Sequence, residues 1–229
     1  MYANPTLEYQ YISDWIAGLI NTEISPRQFA RRLAAHLNRY HPIRIKVHFN
    51  DILLDPGDFT IGAEYDPDLD ENKKKQFIIR LIVNHPKHMP MLITGDFADR
   101  FTIEIVEALV HEYQHQHQYR SRKHMLNRGY TSKHKDIKIR ADQEYLGSPD
   151  EIDAYAANIA ARFYIIEQLN TNEPVESLDL LGYHTAFGQH HPVVKRLMKK
   201  IVKNLINLRE NEHAKTYRRS TKRVRNRRV

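Results

Sequence analysis

The spacing of apolar residues changes twice along this chain, and it constrains the fold more than any other feature of the sequence. Apolar residues recur at helical intervals over 6–39, change to strand-like patterns over 43–85, beginning with strict alternation at 43–49, and return to helical intervals after Pro90. The middle segment is rich in β-branched residues, which favour strands, and Pro and Asp clusters between its runs supply turns. The sequence therefore predicts an α+β fold with a small, mostly antiparallel sheet.

Capping residues and the changes of period set the boundaries of these elements. Within 6–39, a second helix begins after Ser25, with Pro26 at its first position. The other elements are predicted as strands at 43–49, 59–65 and 76–84, site helices at 99–120 and 149–169, a polar loop or flap at 123–138, and a last helix at 192–208. Residues 1–213 are thus expected to form one domain.

The positive charge of the chain is concentrated at its C-terminus. Residues 214–229 hold eight Lys or Arg and no acid, whereas 1–213 hold 27 Lys or Arg against 28 Asp or Glu. Such a block does not fold alone and extends by self-repulsion, so a disordered basic tail is predicted. The tail is either a solvated terminus or a salt-sensitive, sequence-independent contact for nucleic acid. It lacks the apolar anchors that a membrane-surface helix needs.

Composition narrows the chemistry and the compartment. The chain has no cysteine, so any metal must be held by His, Asp or Glu, and disulfides are excluded. No run of about 18 apolar residues predicts a membrane span. Residues 1–20 do not have a basic start followed by an apolar core, which argues against a secretory signal. A cytoplasmic location is expected.

The segment His111–Glu112–Tyr113–Gln114–His115 fits the pattern H-E-x-x-H within a predicted helix. Residues four apart share one helix face, with Cβ atoms about 5–6 Å apart, so both imidazoles can reach one metal ion. Zinc lowers the pKa of a bound water to roughly 7, and Glu112 can take its proton. The competing interpretation is a surface helix in a His-rich segment.

A catalytic zinc ion needs a third protein ligand, and Glu151 is the best candidate. It lies at the start of the second site helix, on a polar stripe of an otherwise apolar helix. The competing interpretation is a capping box in which Glu151 bonds back to the backbone N–H of Ser148. Asp153, His134, His184, His190 and His191 are the alternative ligands, and Tyr155, Tyr183 and His184 are candidates for stabilising an oxyanion.

An H-E-x-x-H helix followed by a Glu at the start of a later helix resembles the zincin metallopeptidases with a glutamate ligand, the gluzincins. The run P-x-E-I-D-A-Y-A from Pro149 also resembles small zincin-like peptidases of bacteria and tailed phages. The resemblance, over about 77–163, implies a zincin-like fold with one catalytic zinc ion on His111, His115 and Glu151, and Glu112 as base. It also implies an edge strand that pairs with an extended substrate, for which 76–84 is the candidate.

The chain departs from the gluzincin pattern at one position. The Asp usually found four residues after the ligand Glu is replaced by Tyr155. The functional expectation is a zinc-dependent peptidase acting on protein or peptide in a bacterial cell or phage-infected host. The alternative is a nucleic-acid-associated binding protein with a structural or degenerate zincin core, tethered by residues 214–229.

Overall fold

The structure is a computed structural model that describes residues 4–49, 58–86, 89–123, 129–169 and 177–225. The chain divides into two compact units, Met1–Asn127 and Arg128–Val229. Both contain helices, and the strands belong to the first, so the expected α+β class is confirmed. The expectation of one domain over 1–213 stays a prediction. No described helix is long and apolar enough to cross a membrane.

The described part of the first unit contains four helices and five strands. The second helix begins where the sequence predicts it, because the Ser25 hydroxyl accepts from the Gln28 N–H at 3.3 Å. In chain order the elements are α1 Pro5–Ala17, β1 Glu23–Ile24, α2 Pro26–Leu37, β2 Ile43–Phe49, β3 Phe59–Tyr65, α3 Pro67–Glu71, β4 Phe77–Val83, β5 Met91–Leu92 and α4 Gly95–Ser121.

The main sheet is mixed, not mostly antiparallel. Its order is β2-β4-β3, with β4 parallel to β2 and antiparallel to β3, while β1 and β5 form a separate antiparallel pair. The expectation that 76–84 is an edge strand is wrong, because β4 is paired on both sides. Its sequence FIIRLIV is almost continuously apolar and mostly buried, as is typical of a central strand.

Aromatic packing holds α4 in the first unit. Phe29 of α2 and Phe59 of β3 both contact Phe101 of α4, with ring centroids 4.9 and 5.6 Å apart. Helix α1 also packs on α4. Phe29 and Phe101 are fully buried, and burial of a Phe side chain contributes about 1.5–3 kcal/mol. The helix that carries the H-E-x-x-H segment is therefore anchored from three directions.

The second unit is helical throughout its described part. Helix α6 packs along α8 through buried Ile152, Ile159, Leu197 and Ile201. The helices are α5 Ile137–Leu146, α6 Pro149–Leu169, α7 Leu178–Phe187 and α8 Pro192–Arg225.

Two helices of this unit are absent from the sequence prediction. Helix α5 overlaps the predicted loop 123–138, of which 124–128 lie outside the described residues, and it begins where Asp136 accepts from the Ile139 N–H at 3.0 Å. Helix α7 begins in the same way, with the Ser177 hydroxyl accepting from the Leu180 N–H at 3.2 Å. Both are short, so apolar periodicity gives little signal, and the N-cap residue is the sequence feature that marks them.

The last helix continues beyond its predicted end at Leu208 to Arg225. It therefore includes residues 214–225, for which the sequence predicts a disordered tail; 226–229 lie outside the described residues. The segment 193–229 has no Gly or Pro and many strong helix formers, so nothing in it stops the helix. The prediction of a disordered tail considered only charge repulsion and not the absence of a helix-breaking residue.

Candidate metal centre

Helix α4 brings the two predicted histidine ligands together. Its start is capped by Thr94, whose hydroxyl accepts from the Phe97 N–H at 3.1 Å. Four turns later, the Nε2 atoms of His111 and His115 lie 3.0 Å apart. His111 is 8% exposed and Glu112 5% exposed, so the base candidate is shielded from bulk water. The competing interpretation of a surface helix does not fit this burial.

Gln118, which the sequence analysis did not single out, orients His115. The His115 Nδ1 lies 3.1 Å from the Gln118 Oε1, an oxygen that can only accept, so the Nδ1 carries the proton. In a neutral ring the lone pair is then on Nε2, which is the atom facing His111. A histidine fixed in this way is ready to bind a metal ion through Nε2.

A buried polar chain fixes Tyr113, which lies between the two histidines in sequence. His41, 5% exposed, has its Nε2 2.8 Å from a Glu8 carboxylate oxygen and its Nδ1 2.8 Å from the Tyr113 hydroxyl. Burial and then the charge of Glu8 raise the pKa of Tyr113 to about 12, so its hydroxyl keeps its proton and donates to His41. This chain joins α1 and the start of β2 to the middle of α4.

A second polar cluster holds the C-terminal end of α4. Arg120 donates to both carboxylate oxygens of Asp70 on α3, at 2.9 and 2.6 Å, and Tyr65 donates to the same carboxylate at 2.7 Å. Burial acts to raise the pKa of Asp70, but the hydrogen bonds from Arg120 and Tyr65 outweigh it and hold the pKa below its usual value. Asp70 therefore stays ionised at neutral pH.

The carboxylate of Glu151 does not serve the predicted capping box. The Ser148 hydroxyl accepts from the Glu151 N–H at 3.3 Å, which is the expected N-cap bond. The reciprocal bond is not made, because the Ser148 N–H donates to the Tyr145 carbonyl at 3.2 Å. The N–H that a capping box would give to the Glu151 carboxylate is therefore already engaged by another acceptor.

Tyr145 is a second residue that the sequence analysis missed, and its hydroxyl hydrogen-bonds with Glu151 and Tyr155. Burial and the neighbouring Tyr155 and Glu151 raise its pKa, so it stays protonated. The turn that carries it is tightly packed. A Cβ on Gly147 would lie 2.6 Å from the Tyr130 ring, and the Tyr183 hydroxyl donates to the Leu146 carbonyl at 2.9 Å.

The oxyanion candidates differ in how their side chains are used. Tyr183 is fully buried, and its hydroxyl is committed to the Leu146 carbonyl. Tyr155 stands at 78° to the Tyr183 ring, with centroids 5.5 Å apart, and hydrogen-bonds with Tyr145. His184 is partly exposed. Tyr183 is therefore a structural residue, and Tyr155 stays a candidate.

His111, His115 and Glu151 form one group, since one possible ligand atom of each lies within 4.8 Å of those of the other two. Bonds of about 2.0–2.1 Å to a tetrahedral zinc ion place two ligand nitrogens about 3.3 Å apart, close to the 3.0 Å seen here. Two imidazoles and a carboxylate also match the donor set of a catalytic zinc site. The residues fit the ion.

The alternative ligands have other surroundings. Asp153 forms an ion pair with Lys200. The Nδ1 atoms of His134 and His191 accept backbone N–H groups of Asp136 and Val193, at 3.1 and 3.2 Å. In the part of the chain that the structure describes, no second group of three His, Asp or Glu is placed to share an ion, so His184 and His190 do not join one either.

No protein-family model matches the sequence, and comparisons with curated proteins and with solved structures found no match. The resemblance to zincin peptidases therefore rests on the residues of this chain.

Proposed function

We propose that this protein is a zinc-dependent peptidase in which Glu112 is the general base and His111, His115 and Glu151 hold the ion. The observation that carries the proposal is the pair of imidazoles on α4, with Nε2 atoms 3.0 Å apart and the buried Glu112 beside them. Support for Glu151 comes from its place in the same group of possible ligand atoms.

Zinc, when bound, supplies a Lewis acid that polarises a peptide carbonyl and lowers the pKa of water to roughly 7. Glu112 follows a histidine ligand directly in the sequence and accepts the proton that the attacking water loses. It then delivers that proton to the leaving amine, so one carboxylate acts first as base and then as acid. Burial of Glu112 keeps bulk water from competing for the proton.

The test measures zinc content and peptide hydrolysis of the full chain and of Glu112→Gln. We expect about one zinc per chain in both proteins by elemental analysis. We also expect hydrolysis of an unstructured protein such as casein to fall by about 10²- to 10⁴-fold in Glu112→Gln, which keeps the shape of the side chain but cannot take a proton.

Glu104→Gln is the matched control, because Glu104 lies on α4 two turns before Glu112 and pairs with Arg100 at 3.1 Å. It should hydrolyse casein like the unmodified protein. Absence of stoichiometric zinc after purification without chelators, or equal hydrolysis by Glu112→Gln and the unmodified chain, contradicts the proposal.

A further inference from the structure

The folded body is close to neutral as a whole, but its charges are unevenly distributed along the sequence. Residues 26–49, which form α2 and β2, contain six Lys or Arg and no Asp or Glu. The rest of 1–213 compensates with an excess of acids, since 27 Lys or Arg face 28 Asp or Glu over that range. Residues 26–49 are one of several stretches with Lys and Arg alone, since 113–135 and 180–209 also lack Asp and Glu.

Of the five arginines in this stretch, three lie on the solvent side of α2 and a fourth follows its end. Arg27, Arg31, Arg32 and the following Arg39 are all exposed, whereas the opposite side of the helix is buried through Phe29, Leu33 and Leu37. At about 1.5 Å of rise per residue, Arg27 and Arg32 lie roughly 8 Å apart along the helix axis, and Arg39 follows just beyond the end of α2 at Leu37. We call this side, together with Tyr40, the α2 surface.

The charges of the α2 surface are not neutralised within the described part of the chain. There, none of the four arginines has an ion-pair partner, in contrast to Arg100 and Arg120, which bind Asp58 and Asp70. The acid Glu8 on α1 is engaged by His41 at 2.8 Å.

An exposed aromatic ring lies at the end of this row of arginines. Tyr40 is 70% exposed and meets Tyr11 edge-on, with centroids 4.8 Å apart, while Tyr11 stacks on His36 at 3.9 Å. Arg39 directly precedes Tyr40 in the sequence, and burial together with the charge of Arg39 lowers the pKa of His36. Tyr40 is thus a large, supported ring that presents one side to solvent next to a cation.

We infer that the α2 surface binds single-stranded nucleic acid, with the arginines on phosphates and Tyr40 stacked on a base. Guanidinium groups match phosphate geometry, and a ring beside a row of cations is the arrangement used for unpaired bases. The exposed side of α2 has no large apolar residue, so it cannot insert into a membrane. The inference involves none of the residues of the zinc proposal and stands or falls separately.

The test measures binding of a fluorescent 20-nucleotide single strand to the full chain by anisotropy over a range of salt concentrations. The variant Arg31→Gln/Arg32→Gln/Arg39→Gln removes three charges from the α2 surface. Its matched control, Lys73→Gln/Lys74→Gln/Lys75→Gln, removes three exposed charges from another segment of the same unit. The basic segment 214–229 is present in every protein, so it contributes equally.

We expect the arginine variant to bind about tenfold or more weakly at low salt. The slope of log affinity against log salt should also fall by roughly 2, at about 0.7 for each lost phosphate contact. The lysine control should keep nearly the original slope. Tyr40→Ala should weaken binding about fivefold or more without changing the slope, because stacking is not a charge interaction.

Three outcomes overturn the inference: equal losses in the arginine and lysine variants, unchanged binding in Tyr40→Ala, or competition by polyglutamate as effective per charge as that by unlabelled oligonucleotide. The last would assign the surface to acidic proteins. Circular dichroism of each variant, compared with the unmodified chain, establishes that helix content is retained before binding is interpreted.

Discussion

The proposed zinc ligands come from two differently built regions, helix α4 and the turn between α5 and α6. On α4, His111 and His115 belong to one helix, so their separation follows from helical geometry. Glu151 instead follows a turn whose shape depends on packing at Gly147 and on the bond from Tyr183 to Leu146. The first arrangement is local in sequence, and the second is a product of tertiary structure.

The two regions are also stabilised differently. Polar contacts hold the C-terminal half of α4, beyond its aromatic packing at Phe101, through His41 at Tyr113 and through Asp70 at Arg120. Side-chain packing holds the α5–α6 turn, where the ring of Tyr130 leaves no room for a Cβ on Gly147. The difference suggests that substitutions on α4 will be sensitive to pH and hydrogen bonding, and those in the turn to volume.

The largest effect is expected when a ligand is removed from either region. His115→Ala and Glu151→Ala should each weaken zinc binding by more than the roughly 100-fold that loss of an orienting partner costs, because a coordinate bond disappears. Competition with a chromophoric chelator measures the affinity. His117→Ala, on the exposed side of the same helix, should bind zinc normally. Unchanged affinity in Glu151→Ala would mean that the third ligand is another residue.

The sequence predicted these two regions unequally. The strands at 43–49 and 59–65 and the capped start of α2 were predicted because each is encoded by local periodicity or a single N-cap residue. The central position of β4 was not, since strand order depends on pairing between distant segments. At the site, the spacing of His111 and His115 was enough to predict that they approach each other.

The roles of Gln118 and Tyr145 could not be predicted from the sequence. Gln118 is one of several glutamines on α4, and nothing local distinguishes the one whose oxygen meets the His115 Nδ1. Tyr145 lies on a helix that periodicity did not reveal, and its partner Glu151 was equally compatible with a capping box. The bond from the Ser148 N–H to the Tyr145 carbonyl is what argues against the capping box and for Glu151 as a ligand.

A smaller effect is expected from Gln118→Leu, which removes the acceptor that fixes the His115 tautomer. Zinc affinity should fall by about 10- to 100-fold. The free energy of unfolding of the zinc-free chain should change by less than the free energy of zinc binding does. Gln118→Glu, which restores an acceptor, should retain the affinity. Gln114→Leu on the same helix is the control. An equal loss of zinc affinity in both leucine variants would mean that the substitutions disturb α4 in general and not the His115 tautomer.

In the other region, Tyr145→Phe tests whether the hydroxyl orients Glu151. We expect a loss of zinc affinity of about tenfold, at the low end of the range for such partners, because phenylalanine keeps the ring and removes only the hydroxyl that meets Glu151. Chelator competition measures it, and Tyr40→Phe at an exposed site is the control. If Tyr145→Phe matches that control, the turn positions Glu151 through its backbone alone.

The smallest effect is expected at the polar cluster that holds the end of α4. Because the pKa of Asp70 is lowered in the folded chain, its contribution is present above the unfolded pKa of about 3.9 and is lost as pH falls through the folded pKa. Arg120 is 54% exposed, so Asp70→Asn should lower the free energy of unfolding at pH 7 by at most about 1 kcal/mol.

Urea titrations of Asp70→Asn and the unmodified chain at pH 7, 4 and 2.5 measure this contribution directly. The difference between the two proteins should shrink as the pH falls below about 4, because the carboxylate becomes protonated in both the folded and the unfolded state. Asp68→Asn, at an exposed position of the same short helix, is the matched control. A difference that persists at pH 2.5 would assign the effect to neutral hydrogen bonds from Tyr65 rather than to the ion pair with Arg120.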